Sequence, residues 1–165
     1  MPTTQENLAV AFAGESQANR KYLAFAAQAD KDGHPAVARL FRAAALAETV
    51  HAHAHLRVLG GVKDTAANLG EAIGGETHEF EKMYPGMIAD AEAEGNAAAA
   101  RSFRYANAVE KIHAALYQQA LAGLGKQADA AAYWVCGVCG NTVVGEPPDT
   151  CPICGAKRAA FTKVD

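Results

Sequence analysis

The stretch A-E-T-V-H-A-H-A-H-L, residues 47–56, sets three histidines at alternate positions behind a glutamate. A period of two belongs to a strand, on which His51, His53 and His55 would share one face. The alanines inside the stretch and the helically spaced apolar residues around it oppose that reading. On a helix the three histidines diverge. His51 falls one turn on from Glu48, His55 keeps to the same inward side, and His53 points the opposite way. The helical reading prevails, and it makes Glu48 and His51 an i, i+3 pair.

Outward from this stretch, residues 4–126 are alanine-rich and carry no strand-like alternation of β-branched residues. The spacing predicts four helices, over 4–31, 35–60, 64–93 and 96–124. Helix punctuation separates them: Asp32-Gly33-His34-Pro35, Gly60-Gly61 and Glu94-Gly95-Asn96. Tyr84-Pro85-Gly86 should kink or interrupt the third. Short connections make consecutive helices antiparallel neighbours, so the expected fold class is an all-α, up-and-down four-helix bundle.

Projecting each helix at about 100° per residue shows what faces inward. In the first, Leu8, Phe12, Asn19, Tyr22 and Ala26 share a stripe with Glu15. In the second, Val37, Phe41, Ala44 and Leu59 accompany Glu48. In the third, Leu69, Met83 and Met87 accompany Glu76, with Glu79 one turn on and His78 pointing away. In the fourth, Phe103, Tyr117 and Leu121 accompany Glu110, with His113 one turn on. A carboxylate left buried and unpaired would cost several kcal/mol, yet every helix directs one inward. Two helices carry Glu-x-x-His, at 48–51 and 110–113, a spacing that brings a carboxylate and an imidazole to one ion. Two such helices with two more glutamate-bearing ones form a box of ligands for two metal ions, as in di-iron and di-manganese carboxylate bundles. Two divalent cations would neutralise four carboxylates and so remove the burial problem.

From Tyr133 the texture changes. Tyr133-Trp134-Val135 and Thr142-Val143-Val144 read as short strands. All four cysteines lie in this tail, as C-G-V-C-G at 136–140 and C-P-I-C-G at 151–155. Each knuckle turns two thiolates toward one ion, and four thiolates make a tetrahedral site suited to zinc or iron. Metal binding supplies folding energy that so short a tail cannot draw from a core, with Trp134 and Phe161 as its small apolar centre. G-L-G-K-Q-A at 123–128 matches a dinucleotide fingerprint only by chance, since no strand precedes it.

The bulk numbers close off other classes. A formal net charge of −3 gives no basic excess for nucleic acid or anionic membranes. No apolar run approaches the ~18 residues that span a bilayer, and the N-terminus has no signal-peptide pattern. A cytoplasmic protein with reduced cysteines is expected.

These residues together resemble the rubrerythrins along nearly the whole chain. The segments that carry the likeness are G-E-S-Q-A-N at 14–19, A-E-T-V-H at 47–51, G-E-T-H-E-F-E-K-M-Y-P at 75–85, V-E-K-I-H at 109–113 and the two knuckles. The resemblance implies a ferritin-like di-iron bundle over 1–126, a linker over 127–132 and a rubredoxin-like Fe(Cys)4 domain over 133–165. Carried over by motif, it implies two irons held by Glu15, Glu48, His51, Glu76, Glu79, Glu110 and His113. A third iron (zinc being the other option) would be held by Cys136, Cys139, Cys151 and Cys154. Tyr22 and Tyr84 match tyrosines near the di-iron site, and Gly137 departs from the proline that many such knuckles carry.

The implied activity is reduction of hydrogen peroxide to water, as oxidative-stress defence. Electrons would come from a reduced nicotinamide through a separate reductase or a rubredoxin, relayed by the Fe(Cys)4 centre. The resemblance also implies that one iron exchanges Glu79 for His51 on reduction. Glu110 lies about fourteen residues before the end of its helix, or ~21 Å, and an extended ten-residue linker spans ~33 Å. The resemblance favours a head-to-tail homodimer, in which one chain's tail serves the other's bundle. The alternatives are a ferroxidase or iron-handling protein, and a non-enzymatic module with a structural zinc ribbon.

Overall fold

A computed structural model describes residues 1–126 and 132–164, and the chain divides into two compact units, Met1–Lys63 and Asp64–Asp165. The linker expected over 127–132 lies outside the described residues apart from Ala132.

The first unit is a hairpin of α1 (Thr4–Lys31) and α2 (Pro35–Val58). Thr3 opens α1 with a capping box: its side chain accepts the Glu6 N–H while the Glu6 carboxylate accepts the Thr3 N–H. Gly33, at φ 79°, ends α1 in a left-handed turn in which the His34 N–H reaches Ala29 O at 2.8 Å. Ala38, Ala45 and Ala52 are buried at seven-residue spacing on α2, opposite buried Asn19, Ala26 and Ala29 on α1. Such small side chains let two helices approach closely. Asn19 locks their register: its Nδ2 donates to Ala45 O at 2.6 Å and to Thr49 Oγ1 at 2.8 Å. Arg42 pairs with Asp30 nearer the connection, so the helices run antiparallel.

In the second unit, α3 (Thr65–His78), a π-helical turn (Glu79–Met83) and α4 (Tyr84–Ala93) pack antiparallel to α5 (Ala97–Gly123). Asp64 caps α3 and Asn96 caps α5 through side-chain oxygens. The expected third helix over 64–93 is interrupted beside Tyr84-Pro85-Gly86. The chain does not run as one α-helix up to Tyr84-Pro85-Gly86. It inserts a π turn before it, in which the Tyr84 N–H donates to Glu79 O, five residues back. Pro85, which has no N–H to give, then sits at the start of α4.

The C-terminal ribbon has three antiparallel strands in the order β2-β1-β3: β1 (Tyr133–Cys136), β2 (Thr142–Val144) and β3 (Phe161–Val164). Two of these are the expected strands. The third, β3, pairs Phe161 with Cys136. Phe161 is buried with Cys136 and Cys151, and Trp134 packs against them. Several residues assigned inward by periodicity, Val37, Met87, Tyr117 and Leu121, are exposed. Among the described residues, no helix is long and apolar enough to cross a membrane.

Candidate metal centres

Three groups of side chains among the described residues bring ligand atoms within 4.8 Å of one another: Glu15, Glu48 and His51; Glu76, Glu110 and His113; and the four cysteines. The first lies on the α1–α2 hairpin. His51 Nδ1 stands 2.9 Å from Glu48 Oε2 and 3.9 Å from Glu15 Oε2. The Glu15 and Glu48 carboxylates are close enough to share a proton. Glu48 holds Glu15 above the usual carboxylate range, while Glu15 and His51 hold Glu48 below it.

The second unit repeats the pattern. His113 Nδ1 lies 2.8 Å from Glu110 Oε2 and 3.8 Å from Glu76 Oε1. Burial and then the facing Glu110 push Glu76 up to about 7. Each group thus gathers more negative charge than its surroundings stabilise, the condition a bound cation relieves. Glu79 lies outside the tight group, but its charge pushes up Glu76. Tyr84 belongs to this neighbourhood: burial, then Glu79, Glu110 and Glu76, raise its phenol, which stays a hydrogen-bond donor at neutral pH.

The π turn explains why Tyr84 arrives there. An unbroken α-helix would set Tyr84 about 80° round from Glu76, and one extra residue in the turn removes about 100°, leaving them about 20° apart. Tyr22, in contrast, stacks in an aromatic cluster with Phe25 and Phe41 at centroid distances of 6.3 and 6.1 Å. No hydrogen bond ties it to Glu15, Glu48 or His51 among the described residues. His53 is exposed and its carbonyl accepts from Arg57, whereas His55 is half-buried and its charge acts on Glu15.

The four thiols are unpaired by disulfides, with Cys136 and Cys154 Sγ atoms 3.7 Å apart and those of Cys139 and Cys151 3.6 Å apart. A tetrahedron of thiolates about 2.3 Å from one ion has S···S edges of about 3.8 Å, so the cluster fits a single metal. The knuckles are matched. The Gly140 N–H donates to Cys136 O at 2.8 Å, and the Gly155 N–H to Cys151 O at 2.9 Å. Burial opposes the Cys151 thiolate, but the N–H groups of Cys154 and Ile153 outweigh it and bring the thiol down to about 7. Gly137 gives its knuckle a bond of its own: its N–H donates to Ala160 O at 2.8 Å, a bond proline has no proton to make.

Two residues with a role here escape the motif reading. Asn141, buried, donates its Nδ2 to Cys151 Sγ at 3.7 Å, and Thr142 Oγ1 lies 2.9 Å from His113 Nε2. Their only signal in the sequence is their position directly after C-G-V-C-G. Through Thr142 the ribbon touches α5.

Helices that gather glutamates and histidines, with an appended four-thiol ribbon, define a ferritin-like metal protein carrying a rubredoxin-like domain. Comparison with known proteins agrees. The rubrerythrin family profile matches residues 6–121, and that of the rubrerythrin rubredoxin-like domain matches residues 134–162. Rubrerythrin-2 of Clostridium acetobutylicum is 36% identical over 96% of this chain and 95% of its own length. Nigerythrin of Nitratidesulfovibrio vulgaris is 36% identical, over 97% and 86% of the two chains. The solved structure of fully reduced, all-ferrous nigerythrin covers 99% of this chain and 88% of its own, at 32% identity and a TM-score of 0.60. The chain belongs to the rubrerythrin family.

Proposed function

We propose that this chain is a non-haem di-iron peroxidase that reduces hydrogen peroxide to water. The observation that carries the reading is one chain holding both Glu–Glu–His groups and a four-cysteine cluster. We assign the helical iron ligands to Glu15, Glu48, His51, Glu76, Glu79, Glu110 and His113, and the third iron to Cys136, Cys139, Cys151 and Cys154. When bound, a ferrous pair supplies the two electrons that turn one peroxide into two waters, and a tetrathiolate iron supplies electrons singly.

The protein's own part is charge and protons. Each carboxylate pair stabilises the ions that neutralise it. Tyr84, held protonated beside three glutamates, keeps a phenol O–H that it can donate at the site. Glu79 and His51 are the pair we propose to alternate as ligands, since a carboxylate suits the higher charge and a neutral imidazole the lower. The ring of His51, 55% exposed against 27% for His113, is the freer of the two histidines.

The family supports an electron supply from a nicotinamide-dependent reductase or a rubredoxin, and a role in oxidative-stress defence. The four unpaired thiols support a reducing compartment such as the cytoplasm. A head-to-tail homodimer belongs to the proposal, supported by the apolar side chains exposed on the first unit, Leu40, Leu46 and Val50 among them. A fully active monomer in analytical ultracentrifugation overturns it.

Metal analysis with a visible spectrum, followed by peroxide addition to the reduced protein, tests the whole reading. Iron at both kinds of site, both oxidised by peroxide, is expected. A zinc-only ribbon or no reaction sinks it.

A further inference from the structure

The α1–α2 hairpin has a second lip that the metal chemistry does not use. Ser16 follows Glu15 and Thr49 follows Glu48, and one residue turns about 100° round a helix. The two glutamates gather with His51, while the residues after them line a cavity of about 290 Å³ on another side of the hairpin. Its apolar part is Phe12, Ala52 and Leu56. Its polar part is built on buried Asn19. Asn19 Nδ2 donates twice to α2, and its Oδ1 accepts from Arg20 Nε at 3.0 Å. That bond fixes the guanidinium and leaves its two Nη groups to donate. Ser16 and Thr49 give their hydroxyl protons to Phe12 O and Ala45 O, at 2.6 and 3.1 Å. The side-chain donors that remain are Arg20 and the ring of His53, and among the described residues no acidic one lines the cavity. Arg57, whose Nε donates to His53 O at 3.2 Å, sets a second guanidinium beside this rim.

We propose that this cavity binds a small organic carboxylate with an apolar tail. The acid group meets the Nη groups of Arg20 in a two-pronged ion pair, and the tail lies on Phe12, Ala52 and Leu56. A cavity of this size holds about ten non-hydrogen atoms, which matches a medium-chain fatty acid. A neutral polar ligand would leave the guanidinium unmatched, and inorganic phosphate would leave the apolar wall unused. The site stands apart from the peroxidase reading, since none of its side chains is an assigned metal ligand.

Octanoate is the probe, titrated into the zinc-loaded full chain and followed by ¹H–¹⁵N spectra. Saturable shifts are expected at Asn19 Nδ2 and at the amides of Ser16, Thr49 and His53, with a Kd of about 1 mM. Arg20→Gln, at an exposed position, should weaken binding about 10-fold and leave zinc content unchanged. Acetate, which has no tail, and octan-1-ol, which has no charge, should each bind about 10-fold more weakly than octanoate. Shifts centred on Glu48 and His51 that persist in Arg20→Gln would put octanoate on the helical metal and overturn the site. The absence of any saturable shift, or equal affinity in Arg20→Gln, overturns it too. Acetate or octan-1-ol binding as tightly as octanoate overturns the assignment of a tailed carboxylate.

Discussion

Nδ1 of His51 lies 2.9 Å from Glu48 Oε2, and Nδ1 of His113 repeats the relationship with Glu110 Oε2 at 2.8 Å. The two pairs match at Nδ1, and His113 in addition meets the ribbon of its own unit through Nε2. His113→Ala should therefore speed amide hydrogen exchange across 140–144, and His51→Ala should leave it as it is. Both should lower metal content. Equal exchange in the two variants would contradict the asymmetry.

Glu76 links metal content to pH. Its folded-state pKa of about 7 exceeds the ordinary value of 4.5, so between these values the folded metal-free chain binds more protons than the unfolded one. Stability contributed by protonated Glu76 is then full below about 4.5 and lost as pH rises toward 7. After chelation, the melting temperature should fall from pH 5 to pH 7.5, and Glu76→Gln should flatten that slope. Divalent metal should reverse it, because the ion favours the ionised carboxylates.

Asn19 is the buried polar lock of the α1–α2 hairpin, with both Nδ2 bonds made to α2. Asn19→Leu removes them and forces a larger apolar group among close-packed alanines. A loss of about 1–3 kcal/mol is expected in urea unfolding, and an unchanged midpoint would show that the alanine contacts suffice.

Gly137→Pro tests the knuckle. Losing the bond to Ala160 O should cost the ribbon roughly 1 kcal/mol. Competition with a zinc chelator should strip the variant at lower chelator concentration than wild type.

Much of this was legible in residue spacing. Glu-x-x-His twice, an inward glutamate on each helix and two CxxCG knuckles name their own chemistry, and glycine or an Asx cap marks most helix ends. The π turn was not legible, because a fixed 100° step cannot register an extra residue between Glu79 and Met83. Counting through it contributed to misplacing Met87, which is exposed. β3 was missed because F-T-K-V buries only Phe161, too weak an alternation to stand out. Thr142 was missed because a contact 29 residues distant leaves no local pattern.

The π turn also gives the third helical stretch two reading frames. Faces counted from Thr65 hold as far as His78, and faces counted from Tyr84 hold as far as Ala93, but neither count carries into the other. Deleting one residue within 79–83 other than Glu79 would heal the helix and keep every assigned ligand. It would leave Tyr84 seven residues after Glu76 and still about 20° round from it, so the phenol keeps its place. Such a variant changes only the bulge, and it separates what the widened turn itself does from what the glutamates and the neighbouring phenol do together.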